Sequence, residues 1–140
     1  MKYYIAYGSN LSLEHMETIC PSAKFLGIGM IKGYNLAFRG SYNRAYLTII
    51  EDQNKDLKVG VYSIDQEAEK ALDYYEAYPE LYQKDQIPFI LNNKEELGLV
   101  YIMNDEYEFN YPKAEYIEMV KKAYRHHKLD IKIIEQALLK

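Results

Sequence analysis

Residues 24 to 64 hold β-like runs at 25–30, 34–38, 45–50 and 59–64, and this stretch constrains the fold more than any other. Its β-branched and aromatic residues suit a pleated, half-buried surface. Glycines at 27, 29, 33 and 40 predict the bends or bulges that curl a sheet, and a polar turn is expected over 51–56.

The flanking segments mix both periodicities. Residues 3–7 predict a short buried strand, after which Leu13, Met16 and Cys20 recur at helical spacing until Pro21. Asp65 can cap a helix reaching about residue 75, with Ala68, Ala71, Leu72 and Tyr75 on its apolar face and Pro79 stopping it. Two more runs, 87–91 around Pro88 and 97–103, predict strands, the first at a sheet edge because proline cannot donate to a ladder. Pro112 suits a first helical turn, Tyr116, Ile117, Val120, Ala123 and Tyr124 form a helical stripe, and a last helix from Asp130 buries Ile134, Ala137 and Leu138. About six short strands with intervening helices predict an α+β domain: a curled, mixed, largely antiparallel sheet forming a small β-barrel with flanking helices. With 140 residues, 49% hydrophobic, and neither a repeat nor a linker, residues 1–140 are expected to form one domain.

Charge and cysteine content narrow the partners. Seventeen basic against 21 acidic residues give net charge -4, so no global field draws the chain to nucleic acid or anionic lipid, and a small-molecule partner is expected. The single Cys20 excludes an intramolecular disulfide, fits a reducing cytoplasm and predicts a buried thiol acting as a small hydrophobe. The N-terminal apolar run meets Gly8 too soon for a signal peptide, and no window approaches the ~18 apolar residues of a membrane span. A cytoplasmic monomer or homodimer, with neither membrane nor nucleic-acid partners, is the expectation.

Two segments can carry chemistry. At Tyr7-Gly8-Ser9-Asn10 a predicted strand meets a predicted helix, so backbone N–H groups can converge on an anion, with Gly8 permitting close approach and Ser9 and Asn10 adding side-chain donors. On these four residues alone, an ordinary turn with serine or asparagine as helix cap is the plainer account. In Tyr74-Tyr75-Glu76-Ala77-Tyr78-Pro79 a carboxylate sits at a helix end among three aromatic rings. Desolvation there raises its pKa and suits it to proton transfer, although a helix-end glutamate is ordinarily solvated and lies at the unfavourable pole of the dipole. The basic run Lys121, Lys122, Arg125, His126, His127 and Lys128 is expected to be a solvated face. His15 stands alone, and no metal-ligand spacing, Ser-His-acid pattern, phosphate loop or dinucleotide fingerprint occurs, so neither metal nor cofactor is expected. With 16 tyrosines in the chain, a few could line a polar pocket.

Taken in order, these motifs resemble the gamma-glutamylcyclotransferase-like family, which includes AIG2-like and BtrG-like proteins. The resemblance runs from Tyr7-Gly8-Ser9-Asn10-Leu11 through Cys20-Pro21, Leu36-Ala37-Phe38 and Gly60-Val61-Tyr62 to Leu72 through Pro79 and Tyr82, then Tyr111-Pro112 and Tyr116. It implies a gamma-glutamylcyclotransferase-like fold and release of an amine or amino acid from a gamma-glutamyl amide by cyclisation to 5-oxoproline. By the same resemblance Tyr7, Gly8, Ser9, Asn10 and Leu11 bind substrate, Glu76 is the general acid and base, and Tyr82 and Tyr116 border the pocket. Ala77, Lys84 and Ile19 depart from the family's usual glycine, arginine and arginine. A non-catalytic module for small carboxylates, or the same chemistry on a specialised gamma-glutamylated metabolite, are the alternatives.

Overall fold

Why the long β-rich stretch curls becomes visible in a computed structural model, which describes residues 2–139. Strand β1 (Lys2–Ala6) leads through a 3-10 turn (Ser9–Leu11) to α1 (Leu13–Ile19); β2 (Lys24–Ser41) and β3 (Arg44–Ile64) follow. Then come α2 (Gln66–Tyr75), β4 (Tyr82–Leu91), β5 (Lys94–Met103), α3 (Ala114–His126) and α4 (Lys132–Ala137). The strands close into a barrel in the order β1-β3-β2-β4-β5. Neighbours run antiparallel except β1 and β5, which meet in parallel at Tyr4 and Leu99. The mixed, largely antiparallel barrel with flanking helices is as expected.

Its strands are fewer and longer than the sequence suggests. The runs 25–30 and 34–38 are one strand, and 45–50 and 59–64 are another. Residues 51–56, expected as a turn, stay extended, and what breaks is register: Lys32 pairs with Asp56 but Tyr34 with Glu51, leaving 52–55 opposite Gly33. Gly33 has φ +84, which glycine adopts without a steric cost, so it serves as the pivot of this bulge. The polarity of 51–56 therefore marks a mostly exposed excursion of one strand. Pro88 is not at an edge, since a closed barrel has none; it pairs with Leu97 of β5, and the seam with β2 is registered at Met30 and Ile90.

Alternation along the strands sorts apolar side chains into two cores on opposite faces of the sheet. Ile5, Val59, Val61 and Val100 join one, which α3 and α4 cover with Val120, Ala123, Tyr124, Ile134 and Ala137. Tyr4, Ala6, Tyr62, Ile64, Leu99 and Tyr101 join the other, under Met16 of α1 and Ala68 and Leu72 of α2. Cys20 lies buried in this second core, its thiol pushed up to about 11 by desolvation, in keeping with a packing role. Helix α3 starts at Ala114, so Pro112 stands before its Lys113 cap and outside the first turn. No described helix is long and apolar enough to cross a membrane.

Candidate active site

Where β1 ends, Tyr7 and Gly8 turn the chain into the 3-10 segment, and long-range hydrogen bonds fix the path. Tyr62 Oη donates to Asn10 O (2.8 Å), Tyr124 Oη to Tyr7 O (3.0 Å) and His127 Nε2 to Leu11 O (2.7 Å). His127 is thereby a clamp on the loop, unlike the solvated basic face expected of its neighbourhood. Ser12 caps α1 by accepting from His15 N, so neither Ser9 nor Asn10 is the cap of that helix. Ser9 and Asn10 are buried instead.

The loop borders a cavity of about 250 Å³ whose other walls include Tyr4, Leu47, Tyr75, Glu76, Tyr82, Tyr101 and Tyr116. Of the expected site residues, Tyr7, Gly8, Ser9, Asn10, Glu76, Tyr82 and Tyr116 come together here. Leu11 does not: its side chain is fully buried in the core and its N–H bonds Gly8 O at 3.0 Å, closing the turn. The N–H groups of Gly8, Ser9 and Asn10 have no such backbone partner in the turn. Gly8 has φ -127, outside the left-handed region, and a β-carbon there would stand at ordinary contact distance, 3.4 Å from Leu47 and 3.6 Å from the Tyr116 hydroxyl.

Side-chain hydrogens set the polarity of the walls. The expected Asn10 donor is engaged, Nδ2 bonding Tyr4 Oη at 2.8 Å. Tyr82 donates to Leu47 O (2.7 Å), while Leu47 N–H donates to Tyr116 Oη (3.0 Å), so both tyrosines clamp one residue of β3. Tyr116 accepts in that bond and keeps its own hydrogen for the cavity; Tyr82, which donates, offers lone pairs. Tyr7 likewise donates to Tyr101 O (2.6 Å). Among the described residues no cationic side chain lines the cavity, so its hydrogen-bond donors are N–H and O–H groups.

Glu76 is the residue after α2. The helix closes by a Schellman pair, Tyr78 N to Asp73 O (2.9 Å) and Ala77 N to Tyr74 O (3.2 Å), with Ala77 at φ +49. A glycine is favoured at such a position, which is where Ala77 departs from the family pattern. The departure is one of backbone strain, since Ala77 lies outside the cavity lining. Lys84 lies outside it too, bridging Glu69 (2.9 Å) and Asp73 (3.1 Å) on α2, and Ile19 packs against the second core.

Desolvation raises Glu76 from its usual range to about 7. Of the three rings flanking it in sequence, Tyr74 is 90% exposed and Tyr78 is exposed too, whereas Tyr75 lines the cavity beside it. The carboxylate also acts from nearby on Tyr4, Tyr7 and Tyr116, whose hydroxyls burial first, and then this charge, push well above their ordinary range; Tyr82 is raised too, by burial and then by Tyr7 and Tyr116 ahead of Glu76. Such phenols are poor bases at neutrality, whereas Glu76 is poised between forms. Sequence reasoning missed Tyr4, Tyr46, Leu47, Leu81 and Tyr101 as lining residues; they reach the cavity through strand register and chain packing, which leave no local signature.

The chain matches the family described as "Gamma-glutamyl cyclotransferase, AIG2-like" over residues 4–131. Solved structures share the fold. One titled "Gamma-glutamyl cyclotransferase" has 21% identity and TM-score 0.85, with 97% of this chain and 85% of the other covered. An uncharacterised human protein has 22% identity and TM-score 0.84 over the same shares. YkqA from Bacillus subtilis has 18% identity and TM-score 0.80, covering 96% of this chain and 52% of that one. No curated protein matches the sequence.

Proposed function

The chain belongs to the gamma-glutamyl cyclotransferase, AIG2-like family, and from that premise we propose that it converts a gamma-glutamyl amide to 5-oxoproline and a free amine, with Glu76 carrying the protons. One observation carries the reading: a carboxyl group raised to about 7 faces, across one cavity, a loop of unengaged N–H groups. Gly8, Ser9 and Asn10 hold the substrate's α-carboxylate by their backbone. The substrate's α-ammonium gives a proton to Glu76, and the amine so formed attacks the γ-carbonyl carbon. A C–N bond closes the five-membered lactam, Glu76 gives its proton to the leaving nitrogen as the bond to it breaks, and the carboxylate then passes the ring nitrogen's surplus proton to the same amine, which departs as its ammonium.

Because the nucleophile arrives with the substrate, the protein's task is to fold the ligand. Such positioning is worth ~7–11 kcal/mol in effective-molarity terms, against roughly 10²–10⁴ in rate for the proton transfers. Tyr116, with its free hydrogen, and Tyr82 border the folded ligand. Ser9 has a phenol rather than a base as its neighbour, Tyr75 Oη at 3.3 Å, which leaves it unactivated as a nucleophile.

Incubation with a panel of gamma-glutamyl dipeptides and gamma-glutamyl amines, followed by mass detection of 5-oxoproline, tests the reaction. Product from at least one member is expected. Silence across the panel, with the compounds still bound, overturns it in favour of a carboxylate-binding module.

A further inference from the structure

His15 belongs to none of the motifs above, yet it touches the site. Its Nε2 lies 2.8 Å from Tyr75 Oη, which in turn lies 3.3 Å from Ser9 Oγ. The His15 backbone is fixed by the Ser12 cap of α1, its ring meets Tyr75 edge-on at 5.1 Å, and Tyr75 and Ser9 both line the cavity. The three groups thus form a continuous hydrogen-bonded chain from a half-buried ring to the anion-facing loop.

We propose that His15 is a positioning residue which, through the Tyr75 hydroxyl, turns the Ser9 hydroxyl hydrogen toward a carboxylate in the cavity. This rests on reading the cavity as a gamma-glutamyl site. A phenol has one hydrogen to give. When His15 Nε2–H donates to Tyr75, Tyr75 donates to Ser9 and the Ser9 hydrogen is left for the ligand. When Nε2 is bare, Tyr75 donates to His15, Ser9 donates to Tyr75, and the serine offers only lone pairs, which repel an anion. A bound carboxylate therefore selects the first order, and each bond polarises the next. Desolvation holds His15 below its usual range, so at neutral pH the ring is uncharged and the choice is between tautomers.

The test uses 5-oxoproline as probe, with binding and histidine ¹⁵N spectra read together. In wild type the complex carries its hydrogen on His15 Nε2. His15→Leu weakens 5-oxoproline about threefold to tenfold, the worth of one hydrogen bond. His15→Gln, which keeps an N–H donor, restores affinity to within about twofold on the same scale. On a Tyr75→Phe background, His15→Leu adds nothing further, an outcome that simple packing loss does not give. A bare Nε2 in the complex, or equal losses on both backgrounds, overturns the relay. Failure of wild type to bind 5-oxoproline, together with no turnover across the gamma-glutamyl panel, instead overturns the gamma-glutamyl reading on which it stands.

Discussion

The loop at Gly8 to Asn10 and the carboxylate of Glu76 face the same cavity but are held there by opposite means. Tyr62, Tyr124 and His127 pin the loop from residues 52 to 117 positions away. Glu76 is placed by the two backbone bonds that end α2, and no described side chain bonds its carboxylate. A group meant to bind gains from rigidity, since each fixed N–H lowers the ordering cost of the ligand. One meant to exchange a proton gains from having no permanent partner, because any such bond would favour a single protonation state.

The strongest way to separate the halves is Glu76→Gln, which keeps shape and removes the base. Turnover is expected to fall by about 10²–10⁴ while 5-oxoproline still binds; near-normal turnover would take Glu76 out of the chemistry. Titration of the same residue sharpens the contrast. With a folded pKa raised to about 7 against 4.5 for a free glutamate, the native state holds a proton that the unfolded chain has released between those values. Stability contributed by this site is thus fully present below pH ~4.5, falls as pH rises to about 7 and levels beyond, by at most about 3 kcal/mol and less where solvent enters through the mouth. Urea unfolding across pH should show that decline in wild type and not in Glu76→Gln. Activity runs the other way, with kcat/KM rising through about 7 as the base ionises.

The loop half is tested through its clamps. Tyr62→Phe leaves the buried Asn10 carbonyl without its donor, at a cost of about 1–3 kcal/mol in chemical denaturation. The ligand affinity should suffer more than kcat. Smallest is Ala77→Gly, which relieves the left-handed alanine and should stabilise by up to about 1 kcal/mol with turnover unchanged. A large change in kcat there would mean that the turn, and not merely its end product, shapes the base.

Both halves were legible in the sequence for the same reason: each is a local pattern. A strand reaching Tyr7-Gly8 before a helix, and a glutamate at the end of an amphipathic helix, can be read from a few neighbouring residues. What brings them together was not legible. The Leu47 clamp joins β3 to Tyr82 and Tyr116, partners 35 and 69 positions away, and no pattern near Leu47 announces either. The rings around Glu76 were legible only in part: Tyr75 shares its cavity, Tyr74 and Tyr78 are exposed, and the buried Tyr4 and Tyr7 come from β1 and the turn that follows it. Strand continuity through 51–56 escaped because polar residues on an exposed bulge resemble those of a reversal.

The bond from Tyr124 to Tyr7 has a consequence for synthesis. Every residue of the two opening motifs has been translated by position 79, yet their geometry waits for α3 to emerge. Closure across 117 residues meets its loop entropy only after the barrel has condensed. A nascent or truncated chain ending before α3 therefore carries both motifs in its sequence without holding a finished pocket.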